Sequence, residues 1–176
     1  IQGLSSSSLT NGEKARFMAI GRLNRAWEYY QMVRKFGNVQ WIEDVITDPD
    51  DARIYGSRTD RDVVMDSVLS DLNYAAANLD DVSDKTAWSK QMALAMKSDA
   101  CLYEGTFCKY RTAADNGKAP DLSRSQKYLN EAVAASEAIM NSGKFALSTS
   151  YGDIYNSLSL GSNKEIIFYR NYEKDM

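Results

Sequence analysis

The sequence contains no histidine. That absence excludes a Ser-His-Asp triad, a Cys-His pair and any metal site that needs imidazole. Only two cysteines occur, Cys101 and Cys108, in one expected helix. Two helical turns hold them roughly 10 Å apart, too far for a disulfide in an intact helix, so they read as small buried thiols. Prolines are equally scarce, with two in 176 residues. Basic residues are not in excess: the net charge is -3, which argues against nucleic acid as a partner. No apolar run approaches the ~20 residues needed to span a bilayer. No signal peptide is visible, and the chain starts at Ile1 rather than Met, so localisation is not readable from this end.

What remains is a helix-forming composition, 44% hydrophobic and 26% charged, enough for one sizeable core. The organising stretch is Arg22–Trp41. Leu23, Ala26, Trp27, Tyr30 and Val33 recur at the spacing of one buried helical face. Gly37-Asn38 supplies the stop, since both residues tolerate a left-handed backbone. This first helix is expected over about 13–36, after a Ser-rich lead-in. A second is expected over 60–79, its N-terminus marked by Thr59 and Asp62 in the manner of a capping box. Its stripe is Met65, Val68, Leu69, Leu72, Ala75, Ala76 and Leu79.

A third helix is expected over 87–110, with Trp88, Met92, Met96, Ala100, Tyr103 and Phe107 inward. Its small residues, Ala93, Ala95, Ala100 and Gly105, would allow a neighbour to approach closely. A fourth, over 123–141, would turn Leu129, Ala132, Val133, Ser136, Ile139 and Met140 to the core, and Ser142-Gly143 would end it. A short helix from Tyr151 to Leu158 and a strand over 165–170 complete the reading. The fold class is therefore all-α in the main: stacked antiparallel helix pairs, tetratricopeptide-like, with a short strand near the C-terminus.

Residues 37–58 form a connection well beyond the usual ~2–8 residues between bundle helices. Connections of that length tend to carry function, and Trp41, Ile42 and Tyr55 argue against disorder. Its acidic cluster, Asp48, Asp50 and Asp51, lacks the glycine and distal glutamate of an EF-hand loop and reads as a solvated turn around Pro49.

Laid end to end, these motifs resemble the SusD/RagB family. The resemblance runs from about residue 13 to 172. It begins with Arg25-Ala26, Trp27, Tyr29, Tyr30, Val33, Phe36-Gly37-Asn38-Val39 and Trp41. Next come Arg58, Arg61, Met65, Leu69, Asp71-Leu72 and Ala75-Ala76. The most specific piece is Trp88, Ala93-Leu94-Ala95, Lys97-Ser98, Cys101-Leu102, Glu104-Gly105-Thr106-Phe107 and Lys109-Tyr110. Ala132 through Phe145 with Leu147, and then Tyr151, Tyr155 and Asn163–Ile167, follow in order. Gln40 stands where the family usually has proline, and Asn24 where an apolar residue is common.

The resemblance implies that residues 1–176 form a single SusD-like helical region, part of a longer chain. It further implies a surface-exposed outer-membrane lipoprotein of Bacteroidetes that captures a nutrient, most often an oligosaccharide. The ligand would pass to a TonB-dependent, SusC-like transporter, with no chemistry performed and no cofactor. The membrane anchor would lie outside this sequence. Trp41 and Tyr55, on the long connection, are the candidate ligand-stacking residues. The bland alternative tucks Trp41 under the first helix and lays Tyr55 over the next. Arg25 is expected to hydrogen-bond loop carbonyls. Two other functions stay open: a helical-repeat scaffold for a protein partner, and a glycoside hydrolase using two carboxylates about 5–10 Å apart.

Overall fold

A computed structural model of the chain describes residues 3–4, 7–148, 150–157 and 159–172. Four long helices dominate: α1 (Asn11–Phe36), α2 (Arg61–Asn78), α3 (Lys90–Tyr110) and α5 (Leu122–Asn141). Two short ones, α4 (Ala113–Asn116) and α6 (Tyr151–Asn156), sit in the connections. The expected end of the last helix at Leu158 lies outside the described residues, as does the side chain of Tyr155.

Successive helices pack as pairs, α1 on α2 and α3 on α5, and α2 against α3 joins the pairs. The core follows from the sequence periods. Leu23, Ala26, Tyr30 and Val33 of α1 meet Val64, Met65, Val68, Leu72 and Ala75 of α2 in one apolar cluster that reaches Ala93, Ala100 and Cys101 of α3. Burying each large side chain of this kind contributes about 1.5–3 kcal/mol, which is what holds the pairs together.

Helix ends are set by local chemistry. The Thr10 hydroxyl accepts from Glu13 N, and the Glu13 carboxylate accepts from Thr10 N in return, so the first turn of α1 is capped. Gly37, at φ +69°, closes the other end, with its N–H donating to the Val33 carbonyl. The start of α2 differs from expectation. Asp60, not Thr59, is the cap, its side chain accepting from Asp62 N. Thr59 is committed elsewhere: its Oγ1 accepts from Trp41 N, and its N–H bridges to the Val39 carbonyl.

The inner face of α5 also departs from the sequence reading. Ser125, Tyr128, Ala132 and Ala135 are buried, while Val133 and Met140 point outward. The turn of the helix is fixed by α3. A Cβ on Gly105 would lie 2.8 Å from Leu129 Cγ, so α5 rests directly on the Gly105 backbone. Tyr128 then reaches Asp66 of α2 at 2.8 Å. No strand forms over 165–170 among the described residues. The apolar run there finds no partner strand. Single bonds hold it instead, Ala146 N to the Lys164 carbonyl and Tyr169 N to the Lys85 carbonyl, and Phe168 stacks on Trp88 at 6.1 Å.

Candidate functional site

Two polar constructions stand out: a charged joint between α2, α3 and α5, and an open groove along residues 37–60. At the joint, Arg61 and Glu104 are buried, at 2% and 0% exposure. Arg61 Nη2 donates to Glu104 Oε2 at 2.6 Å, and its guanidinium lies 3.7 Å over the Phe107 ring. Arg124 donates from Nε to Glu104 Oε1 at 3.2 Å and from Nη1 to Asp66 at 2.8 Å. Arg111 clasps both oxygens of Asp62 at 2.9 Å, and Lys118 joins Asp62 and Asp60.

The titration behaviour follows. Burial alone would raise the Asp62 pKa, but hydrogen bonds from Arg111 and Lys118 and the charge of Arg124 outweigh it and leave it lowered. Asp66 is lowered in the same way against its burial, chiefly by hydrogen bonds from Arg124 and Tyr128. Asp62, Glu104 and Cys108 bring ligand atoms within 4.8 Å of one another. They do not make a metal centre: arginines already occupy the carboxylates, and burial followed by the Glu104 charge pushes the Cys108 thiol up to about 12. Both cysteines are free and buried. The joint is structural.

The groove is built on the long connection. Val39 and Thr59 form an antiparallel bridge across its base. Gln40 Nε2 donates to the Gly56 carbonyl at 2.6 Å, supplying by a side chain the constraint a proline would give to the backbone. Ile42 N donates to the Tyr29 hydroxyl at 2.8 Å, and Arg61 N to Asn38 Oδ1 at 3.0 Å. The acidic cluster caps its own turn. Asp48 accepts from Asp50 N, and hydrogen bonds from Arg53 hold Asp51 at about 2.

Trp41 packs on Tyr29 with ring centroids 4.4 Å apart, and the Arg25 guanidinium lies 4.9 Å over its indole. Arg25 does not serve loop carbonyls. It grips Asp71 of α2 through Nε at 2.7 Å and Nη2 at 2.9 Å, because a buried carboxylate offers a bidentate partner that a carbonyl cannot. Tyr55 is 82% exposed. The two candidates do not converge on one cavity. Trp41 lines a cleft of about 300 Å³ with Ile42 and Arg53. Tyr55 lines the next, of about 420 Å³, with Ile54 and Arg58.

Gln40 and Gly56 border both clefts, so they adjoin. A third cleft, of about 490 Å³, continues past Phe36, Asn38 and Arg58 to Arg34, Tyr103 and Asn116. Arg34 and Asn116 carry no motif in the sequence. Only the turn of α4 and the end of α1, remote in the chain, bring them to the same cleft.

These features define a tetratricopeptide-like helical platform with an aromatic-bearing groove at one end. No family model matches the chain. It is 30% identical over 164 residues to a SusD-like protein of Bacteroides ovatus, covering 88% of this chain and 26% of that protein. It is also 30% identical over 112 residues to SusD-like protein P2 of Formosa agariphila, covering 61% and 22%. The chain thus spans about a quarter of the length of the curated relatives it matches.

Among solved structures, a SusD-like protein of Bacteroides fragilis superposes with a TM-score of 0.75 at 22% identity, covering 99% of this chain and 31% of that one. A structure solved with xylogluco-oligosaccharide gives 0.70 at 24%, covering 94% and 30%. Likeness at these identities is likeness of fold. Sequence and fold together show the resemblance read from the motifs: this is a SusD-like chain of the SusD/RagB type.

Proposed function

We propose that the chain captures an oligosaccharide at the bacterial outer membrane and hands it to a TonB-dependent, SusC-like transporter, without chemical change to the ligand. One observation carries the reading: an exposed aromatic, Tyr55, held on a cross-braced loop beside a row of adjoining clefts. Sugar rings lay apolar C–H faces on such planes, while hydroxyls pair with polar groups at the rim. Trp41 and Tyr55 are the proposed stacking residues.

Support comes from the relatives, which are SusD-like, and from the neighbour solved with xylogluco-oligosaccharide. Support for binding without turnover comes from the acids. Asp71 and Glu104 are buried and held by arginines. Asp115, at the third cleft, accepts from Thr112 N and Oγ1, which lower its pKa. A general acid needs the opposite shift. Location at the outer membrane, through a lipid anchor outside this sequence, belongs to the same proposal.

Calorimetry against a glycan panel, paired with a reducing-sugar assay, tests it. Binding of at least one oligosaccharide with no release of reducing ends is expected. Catalytic release would overturn the non-catalytic reading. A second reading, a helical-repeat scaffold for a protein partner, draws on Val133 and Met140, exposed at 56% and 66% on α5. Silence with all glycans and co-purification with a barrel protein would favour it.

A further inference from the structure

Most arginines here meet a carboxylate. Arg16 pairs with Asp80, Arg22 and Arg25 with Asp71, Arg53 with Asp51, Arg61 with Glu104, Arg111 with Asp62 and Arg124 with Asp66. Arg170 lies 5.2 Å over the Tyr172 ring, and Arg34 and Arg58 share a cleft. Among the described residues neither has an ion pair or hydrogen bond, and both line the same cleft at the C-terminal end of α1. Arg34 is not loose: its guanidinium lies 5.3 Å over the Tyr30 ring and 5.6 Å over the Tyr103 ring. A guanidinium stacked on aromatic faces keeps its edge donors free for an acceptor.

A third donor sits beside them. Asn116 Nδ2 is the buried side-chain polar atom left without a hydrogen-bond partner among the described residues, and Asn116 lines this cleft. Its Oδ1 accepts from Lys118 N at a long 3.3 Å, which leaves the amide room to turn Nδ2 toward the cleft. An orphaned buried donor is costly and calls for an acceptor. The cleft's own carboxylate, Asp115, is committed to Thr112. Arg61 at the floor is committed to Glu104.

We propose that this cleft binds the oxyanion of an acidic saccharide, a uronate carboxylate or a sulfate ester, between Arg34, Arg58 and Asn116. The proposal rests on the glycan-capture reading and names the substrate class of the groove's end. Two forked cations and a neutral donor suit a planar or tetrahedral oxyanion.

Calorimetry on the chain with matched pairs tests this: tetragalacturonate against its methyl ester, a sulfated galactan oligosaccharide against its desulfated form, and a neutral xyloglucan oligosaccharide. At least one acidic member should bind about tenfold more tightly than its neutral partner, as one charge-assisted contact requires. The preference should fall in about 0.5 M salt, where exposed charges are screened. Arg34→Gln and Arg58→Gln should each carry the ratio toward parity, while Arg16→Gln, remote on α1, should leave it alone. The two acidic arms decide which oxyanion is meant.

Equal affinity within both pairs, or a preference that survives both substitutions, would overturn the proposal and leave glycan capture standing. Silence with every oligosaccharide would overturn both.

Discussion

The joint of α2, α3 and α5 and the end of α1 use the same side chain in opposite ways. At the joint, Arg61 and Arg124 converge on Glu104, and Arg111 closes on Asp62, with Arg61, Glu104 and Arg111 buried. At the end of α1, Arg34 and Arg58 line an open cleft and form no ion pair among the described residues, its carboxylate Asp115 being held by Thr112. A buried charge without a partner is strongly unfavourable, so a paired arginine fixes how helices sit against one another. An exposed arginine without a partner stabilises little and stays available. The difference separates residues that hold the platform from residues left available for the proposed ligand.

The sharpest way to break that contrast is to remove the hub. Glu104→Ala would take from the buried Arg61 its bidentate partner, leaving it Asp62 at 3.5 Å, and would leave Arg124 to Asp66, and should cost about 3–5 kcal/mol in urea unfolding. Arg34→Gln, by contrast, should stay within ~0.5 kcal/mol of the parent. Were the Glu104 variant to unfold within about 1 kcal/mol of the parent, the joint would not be what aligns the three helices.

Next in size is the packing beneath the joint. Gly105→Ala puts a methyl 2.8 Å from Leu129 Cγ and 3.1 Å from Leu129 N, part of that contact being backbone. The overpacking should cost about 1–3 kcal/mol. Leu129→Ala in the same chain should recover only part of it, since the backbone contact remains. Full recovery would mean the two helices are free to separate there.

How far these regions could be read from sequence differs for a physical reason. The α1 stripe, the Gly37 stop and the α2 stripe follow from local period and backbone chemistry, and they lie where expected. On α5 the period correctly turns Leu129, Ala132, Ser136 and Ile139 away from full exposure, but it cannot exclude Val133 and Met140, which are as apolar and point outward. What turns the helix is the contact with Gly105, from another element. The strand over 165–170 failed likewise: β propensity needs a partner edge, and none adjoins it among the described residues. Arg58 and Arg61 stand in one motif, yet Arg61 is buried against Glu104, while Arg58 has no ion pair among the described residues. Glu104 lies some forty residues on, so the spacing could not say which of the two it would take. Arg34 and Asn116 gave no signal at all, because chain distance hides them from each other until α4 forms.

Acid should act on the joint. Asp62 and Asp66 titrate below the ordinary value of 3.8 in the folded chain. An unfolded chain therefore binds their protons first as pH falls. Their stabilisation is complete above roughly pH 5 and is lost as pH drops through about 4 toward the folded values. The urea midpoint should fall across that range, and Asp62→Asn should flatten the fall by removing one titrating partner of Arg111. A parallel descent in parent and variant would place the acid sensitivity elsewhere.

The smallest expected effect on stability tests the groove itself. Tyr55 is 82% exposed, so Tyr55→Ala should move the unfolding midpoint hardly at all, within ~0.5 kcal/mol. Affinity for whichever oligosaccharide binds should still drop about threefold to tenfold, the worth of one aromatic stack. Trp41→Ala makes the useful partner experiment. Its indole packs on Tyr29 and Arg25 of α1, so its loss should lower stability as well as any affinity, and its binding change alone could not tell contact from collapse. Only Tyr55 separates the two: an affinity loss without a stability loss assigns it to the ligand. A stability loss of 2 kcal/mol or more would instead make it a strut of the loop, and the groove would then need another aromatic to hold a sugar ring.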